Sequence, residues 1–107
     1  MNTTLACTLA LLFLSLPLRA QWNPDGVITC GATGNQYKQS IASDSSGSVV
    51  VWEDFRSGEA DIYARKIDIS GALQWQTDGN PVCVSTKSQL NPIVISDGFG
   101  GSIIVWE

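Results

Sequence analysis

Three carboxylates, Asp54, Glu59 and Asp61, fall within a short span around Gly58. Oxygen donors gathered on one tight turn suit a hard cation, and Ca²⁺ is the natural candidate. Arg56 stands among them. A guanidinium opposes a bound cation and offers the carboxylates a hydrogen-bonded ion pair, so an ion pair that pins the turn is the expected arrangement and Ca²⁺ the alternative. Glu53 with Asp54, or Glu53 with Glu107, has the chemistry of an acid/base couple for glycoside hydrolysis. Trp22, Trp52, Trp75 and Trp106 offer aromatic faces that would stack on sugar rings. The sequence contains no histidine, which removes the commonest general base, the Ser–His and Cys–His nucleophile pairs and most transition-metal sites. No catalytic residue and no cofactor is expected in this chain.

The same residues belong to an internal repeat, which changes their meaning. Trp22, Asp25, Gly26 and Cys30 recur as Trp75, Asp78, Gly79 and Cys83, and Thr33, Gln36, Ser43 and Asp44 as Thr86, Gln89, Ser96 and Asp97. One residue is then inserted where DSSG becomes DGFGG, after which Gly47, Ser48, Val51, Trp52 and Glu53 return as Gly101, Ser102, Val105, Trp106 and Glu107. An insertion placed in a turn is what a duplicated β-structure tolerates, because one inside a strand would flip its side chains to the other face. Glu53 and Glu107 hold one place in two copies, whereas a catalytic pair is ordinarily a single distinctive site. The tryptophans hold two repeated places, and Trp52 and Trp106 end apolar strands, so all four are expected in the core.

Residues 21–75 make a first repeat with strands at about 38–43, 48–54, 61–68 and 72–75, and residues 76–107 a second, truncated one. Ile62 and Ala64 alternate with Tyr63, Arg65 and Ile67, which places them on opposite faces of a strand. Val49-Val50-Val51-Trp52 and Ile103-Ile104-Val105-Trp106 are apolar on both faces, as an interior strand is when its sheet packs between two others. A period of about fifty residues with four antiparallel strands is the size of a β-propeller blade. The expected fold is all-β, with propeller-like four-stranded antiparallel blades numbering fewer than two, behind a signal-peptide helix. Cys30 and Cys83 would occupy matching points on adjacent blades. Sheets stack about 10 Å apart, too far for a disulfide, so two small buried thiols are expected; a bridge is the alternative and would count against adjacent-blade geometry.

Asp54-x-Arg56-Ser57-Gly58, Asp61-Ile62-Tyr63-Ala64 and Asp68-x-x-Gly71-x-x-x-Trp75 together resemble the repeat of bacterial secreted and cell-surface β-propeller-type proteins, over nearly everything from Trp22 onward. The last motif is also similar to the tryptophan-docking turn of quinoprotein dehydrogenase blades, and Ser96-Asp97-x-x-Gly100 resembles the Asp-box of sialidase-like propellers. Both motifs are structural in those families: the aspartate caps a turn, the glycine supplies positive φ, and the tryptophan packs across to an adjacent blade. The resemblance therefore implies structural repeat positions at Trp22, Trp52, Asp68, Gly71, Trp75, Asp97, Gly101 and Trp106.

Residues 1–20 carry an apolar run from Leu5 to Leu18 and end on the small Ala20. This reads as a secretory signal peptide, too short to span a bilayer and leaving no membrane span after cleavage near Ala20. The chain is expected to be secreted or at the cell surface. Its net charge of −4, with no basic cluster, argues against nucleic acid. Glu107 ends the second copy where the first continues into Asp54, so an N-terminal fragment is expected, with the remaining blades of the same longer chain as partners. The expected function is a non-catalytic interaction or structural scaffold for an unknown protein or carbohydrate ligand. The alternative is part of an exported propeller enzyme, such as a glycoside hydrolase or lyase, whose active site would lie beyond Glu107. A periplasmic quinoprotein is a third class, but its cofactor-binding residues are absent.

Overall fold

A computed structural model of the chain describes residues 23–107; the expected signal peptide (residues 1–20), Gln21 and Trp22 lie outside them. The described residues form strands and no helix: β1 (Gln36–Asp44), β2 (Gly47–Asp54), β3 (Asp61–Asp68), β4 (Asn80–Cys83), β5 (Ile93–Ser96) and β6 (Ser102–Val105). β1 to β4 make a four-stranded antiparallel meander in chain order, and β5–β6 a separate antiparallel pair.

Local chemistry sets the turns. β1 passes to β2 through Ser45 and Ser46, with Asp44 accepting the Ser46 N–H at 2.7 Å. Gly47 follows with φ 133°, where a Cβ would collide with the Ile67 carbonyl of the neighbouring strand, so only glycine fits. β2 and β3 then pair along their full lengths, from Gly47↔Asp68 to Asp54↔Asp61.

The fourth strand departs from the sequence expectation. Residues 72–75 contribute only an isolated bridge, Ile67↔Leu73, with the Gln74 N–H on the Lys66 carbonyl at 2.7 Å. Trp75 and Asp78 then take left-handed φ values of 64° and 63°, and Gly79 one of 94°. Those dihedrals break the extended run, and pairing along the same edge of β3 resumes as β4. The sheet therefore crosses the boundary expected near residue 75.

Alternation gives this sheet two different faces. Ala42, Val49, Val51 and Ala64 line the front, and Ile41, Val50, Trp52 and Tyr63 the back. Val94 and Ile104, partners across β5–β6, pack on the front face with Val82. Val51 and Ala64 are sealed there, and full burial of a valine contributes about 1.5–3 kcal/mol. β5–β6 pairs in the register of β1–β2 carried forward by one repeat: Ser40↔Val51 is matched by Ile93↔Val105, and Ser43↔Ser48 by Ser96↔Ser102.

Candidate functional site

The densest polar constellation lies on the back face at the end of β2. Alternation along β2 puts Trp52 and Asp54 on one side, and the turn after Asp54 folds Arg56 back over them. Asp54 is fully buried and accepts the Trp52 indole N–H at 2.8 Å, the Arg56 backbone N–H at 3.0 Å, and the guanidinium side-on, Nε on Oδ1 at 2.7 Å and Nη2 on Oδ2 at 2.6 Å. Burial alone would raise the Asp54 pKa, but the hydrogen bonds from Arg56 and Trp52 outweigh it and hold the carboxyl below its ordinary 3.8. Asp54 in turn raises the pKa of Arg56. The guanidinium lies 3.9 Å over the Tyr63 ring and donates to the Asp78 carbonyl at 2.7 Å, fastening the loop before β4 to the sheet. Cys30 completes the cluster, its thiol 3.9 Å from Asp54 Oδ2; Cys30 and Cys83 are both free.

This arrangement gives the ion pair rather than a calcium ligand set. Asp54 has its oxygens engaged by Arg56 and Trp52. Glu59 is exposed and accepts the Ser88 hydroxyl, and the buried Asp61 accepts the Ser57 hydroxyl at 2.6 Å through Oδ2. Among the described residues no group of three or more His, Cys, Asp or Glu side chains is placed to hold a metal ion.

Glu53 and Glu107 do meet at one residue, Asn91. Its backbone N–H is donated to Glu53 Oε1 at 2.8 Å and its side-chain amide to Glu107 Oε2 at 3.3 Å. Glu53 is buried on the front face, where it receives the segment leading into β5. Its geometry is that of a docking acceptor between the two sheets.

The aspartates of the turns are also acceptors. Asp44 Oδ1 takes the N–H and hydroxyl of Ser46, while Oδ2 takes the Ser96 hydroxyl at 3.0 Å and the Gly100 N–H at 3.2 Å from the second sheet. Ser46 first, then Ser96, lower its pKa to about 2. Asp68 caps its own turn through the hydroxyl and N–H of Ser70 and the Ala72 N–H, which lower its pKa, and Gly71 follows with φ 85°. Asp97 repeats the pattern with Phe99 and Gly101.

The tryptophans divide. Trp52 is 2 % exposed, stacked on Tyr63 with ring centroids 6.4 Å apart and closed over by Gly79. Trp75 and Trp106 are 47 % and 40 % exposed, contrary to the expectation of a core role for all four. Trp75 turns outward at its left-handed backbone, and among the described residues no strand or loop covers Trp106 as β3 and the Gly79 loop cover Trp52.

Two elements of this arrangement escape sequence reading. Lys38 and Asn91, equivalent in the repeat, both adopt left-handed φ, 52° and 54°, although neither is a glycine. Arg65 is buried and donates to the Thr29 carbonyl at 2.7 Å, holding residues near Cys30 against the back face. Its place on the Tyr63 face was legible, but its distant partner carries no local signal. No family model matches the chain, and no curated protein or solved structure matches it either.

Proposed function

We propose that this chain is an exported, non-catalytic β-repeat protein of the propeller type, whose sheets stack face to face as a scaffold for binding a protein or carbohydrate ligand. The observation that carries the reading is the seat of β5–β6: in the register of β1–β2, it lays its back-face positions Val94 and Ile104 on the front face of the preceding sheet. Consecutive blades of a propeller pack in this sense. Asp44, Glu53, Asp54 and Asp68 are all taken up in internal hydrogen bonds, which supports a structural role for the carboxylates over catalysis. The acidic balance supports partners other than nucleic acid, and the apolar run ending at Ala20 supports export.

Fractionation of bacteria producing the chain, with N-terminal sequencing and a polysaccharide-hydrolysis assay, tests this reading. The expected product is inactive, lies outside the cytoplasm and begins near Gln21. Uncleaved chain confined to the cytoplasm would overturn export. Hydrolysis that Glu53→Gln abolishes would overturn the non-catalytic assignment.

A further inference from the structure

Ile93 and Ile95 on β5 and Ile103 and Val105 on β6 are 56, 55, 52 and 55 % exposed. Ile93 pairs with Val105 and Ile95 with Ile103, so the four side chains form one apolar patch on the side of β5–β6 away from Val94 and Ile104. Exposed apolar side chains gathered in one patch, unlike scattered ones, mark an interaction surface.

The chain itself indicates the shape of the occupant. Ile93, Ile95, Ile103 and Val105 are the repeat counterparts of Ser40, Ala42, Val49 and Val51, the front-face positions that Val94 and Ile104 cover within the molecule. Val94 and Ile104 are in turn the counterparts of Ile41 and Val50, and Ile41 lies 62 % exposed on the back face. Among the described residues, the open face of β5–β6 and the back face of β1–β2 thus each present one half of an interface that is already formed once between the two sheets.

We propose that the chain associates head to tail, the open face of β5–β6 in one copy docking on the back face of β1–β2, at Ile41 and Val50, in a second copy. The inference rests on the scaffold reading and names its partner. The polar clamps of the internal interface have counterparts at the open ends. Asp44 accepts the Ser96 hydroxyl across the internal interface; Asp97 is the counterpart of Asp44, and Ser43, the counterpart of Ser96, stands on the back face. Asn91 donates its N–H to Glu53 from a left-handed backbone; Lys38 has that same backbone and offers the matching donor. The two docking surfaces differ, so the contact is heterologous and propagates into a ring or a filament rather than stopping at a two-fold dimer.

Two variants of the full chain, Ile41→Glu and Ile103→Glu, each spoil one end only. Both side chains are exposed in the single molecule, so neither substitution disturbs its core. By sedimentation or light scattering the wild-type chain should gain mass with concentration. Each variant alone should stay monomeric at concentrations about tenfold higher, since docking would now bury an unpaired carboxylate, and an equimolar mixture should form a one-to-one complex through the intact ends. A wild-type monomer throughout that range, or variants that fail to complement, would overturn head-to-tail docking. Because fractionation and hydrolysis read the scaffold assignment separately, an exported, inactive chain that stays monomeric would sink the docking inference alone.

Discussion

Replacing Asp54 by asparagine keeps the side-chain shape and removes the charge at the centre of the back-face cluster. Asp54 is fully buried and receives two guanidinium hydrogen bonds, one indole N–H and one backbone N–H. An asparagine has a single acceptor oxygen and turns an NH₂ group toward the remaining donors. Hydrogen bonds to charged groups contribute about 1.5–3 kcal/mol each, and the relief of burying a carboxylate offsets part of the loss. A net cost of about 3 kcal/mol follows, within the range for breaking a buried pair. With a urea dependence of about 1.5 kcal/mol per molar for a small chain, the unfolding midpoint should fall by about 2 M. The measurement belongs in the Ile103→Glu chain, where self-association adds nothing to stability. Arg56→Met should cost a similar amount by stranding the carboxylate, and the double variant should cost less than the sum of the two. A midpoint within about 0.3 M of the parent for Asp54→Asn, or strict additivity with Arg56→Met, would refute the idea that this pair ties the Asp78 loop to the sheet.

Two further outcomes follow from the same geometry. The folded-state pKa of Asp44 lies at about 2, below its ordinary 3.8, so its contribution is complete above about 3.8 and fades as pH falls toward 2. Acid unfolding followed by circular dichroism should show a limb in that window that flattens in Asp44→Asn; an unchanged limb would assign the acid sensitivity elsewhere. Gly79→Ala should destabilise by about 3 kcal/mol, combining positive-φ strain with overpacking, because φ is 94° and the new methyl would meet the Trp52 ring at 2.5 Å. Gly58→Ala, at φ 96° with open space around it, should cost only about 1–2 kcal/mol of strain, and equal costs for the two would remove Trp52 packing from the explanation.

The strand pattern was legible because it rests on local rules. The alternation of Ile62 and Ala64 against Tyr63 and Arg65 located β3, and the Val49–Trp52 run together with the turn residues located β1 and β2. The fourth strand was misplaced because Leu73-Gln74-Trp75 has the composition of a strand, whereas Trp75 and Asp78 break it with left-handed dihedrals that nothing in their side chains demands. The same limit applied to Asp54. Its pairing with Arg56 was readable from spacing, but the Trp52 indole bond depends on the register of β2 against the turn. Asp44 and Glu53 were visible as repeated residues; their role as acceptors between sheets emerged only once β5–β6 was seated on the front face.

Amide hydrogen exchange on the Ile103→Glu chain probes the seat of β5–β6 on the front face residue by residue. A lone two-stranded pair is marginally stable in water. The Asn91 and Val94 amides, donated to Glu53 Oε1 and Ser40 Oγ of the neighbouring sheet, have those partners only while the two sheets are docked. Docking predicts protection at Asn91 and Val94 approaching that of the β2–β3 ladder, and its loss at Asn91 in Glu53→Ala. Near-unprotected exchange at both amides beside a protected β2–β3 ladder would contradict it.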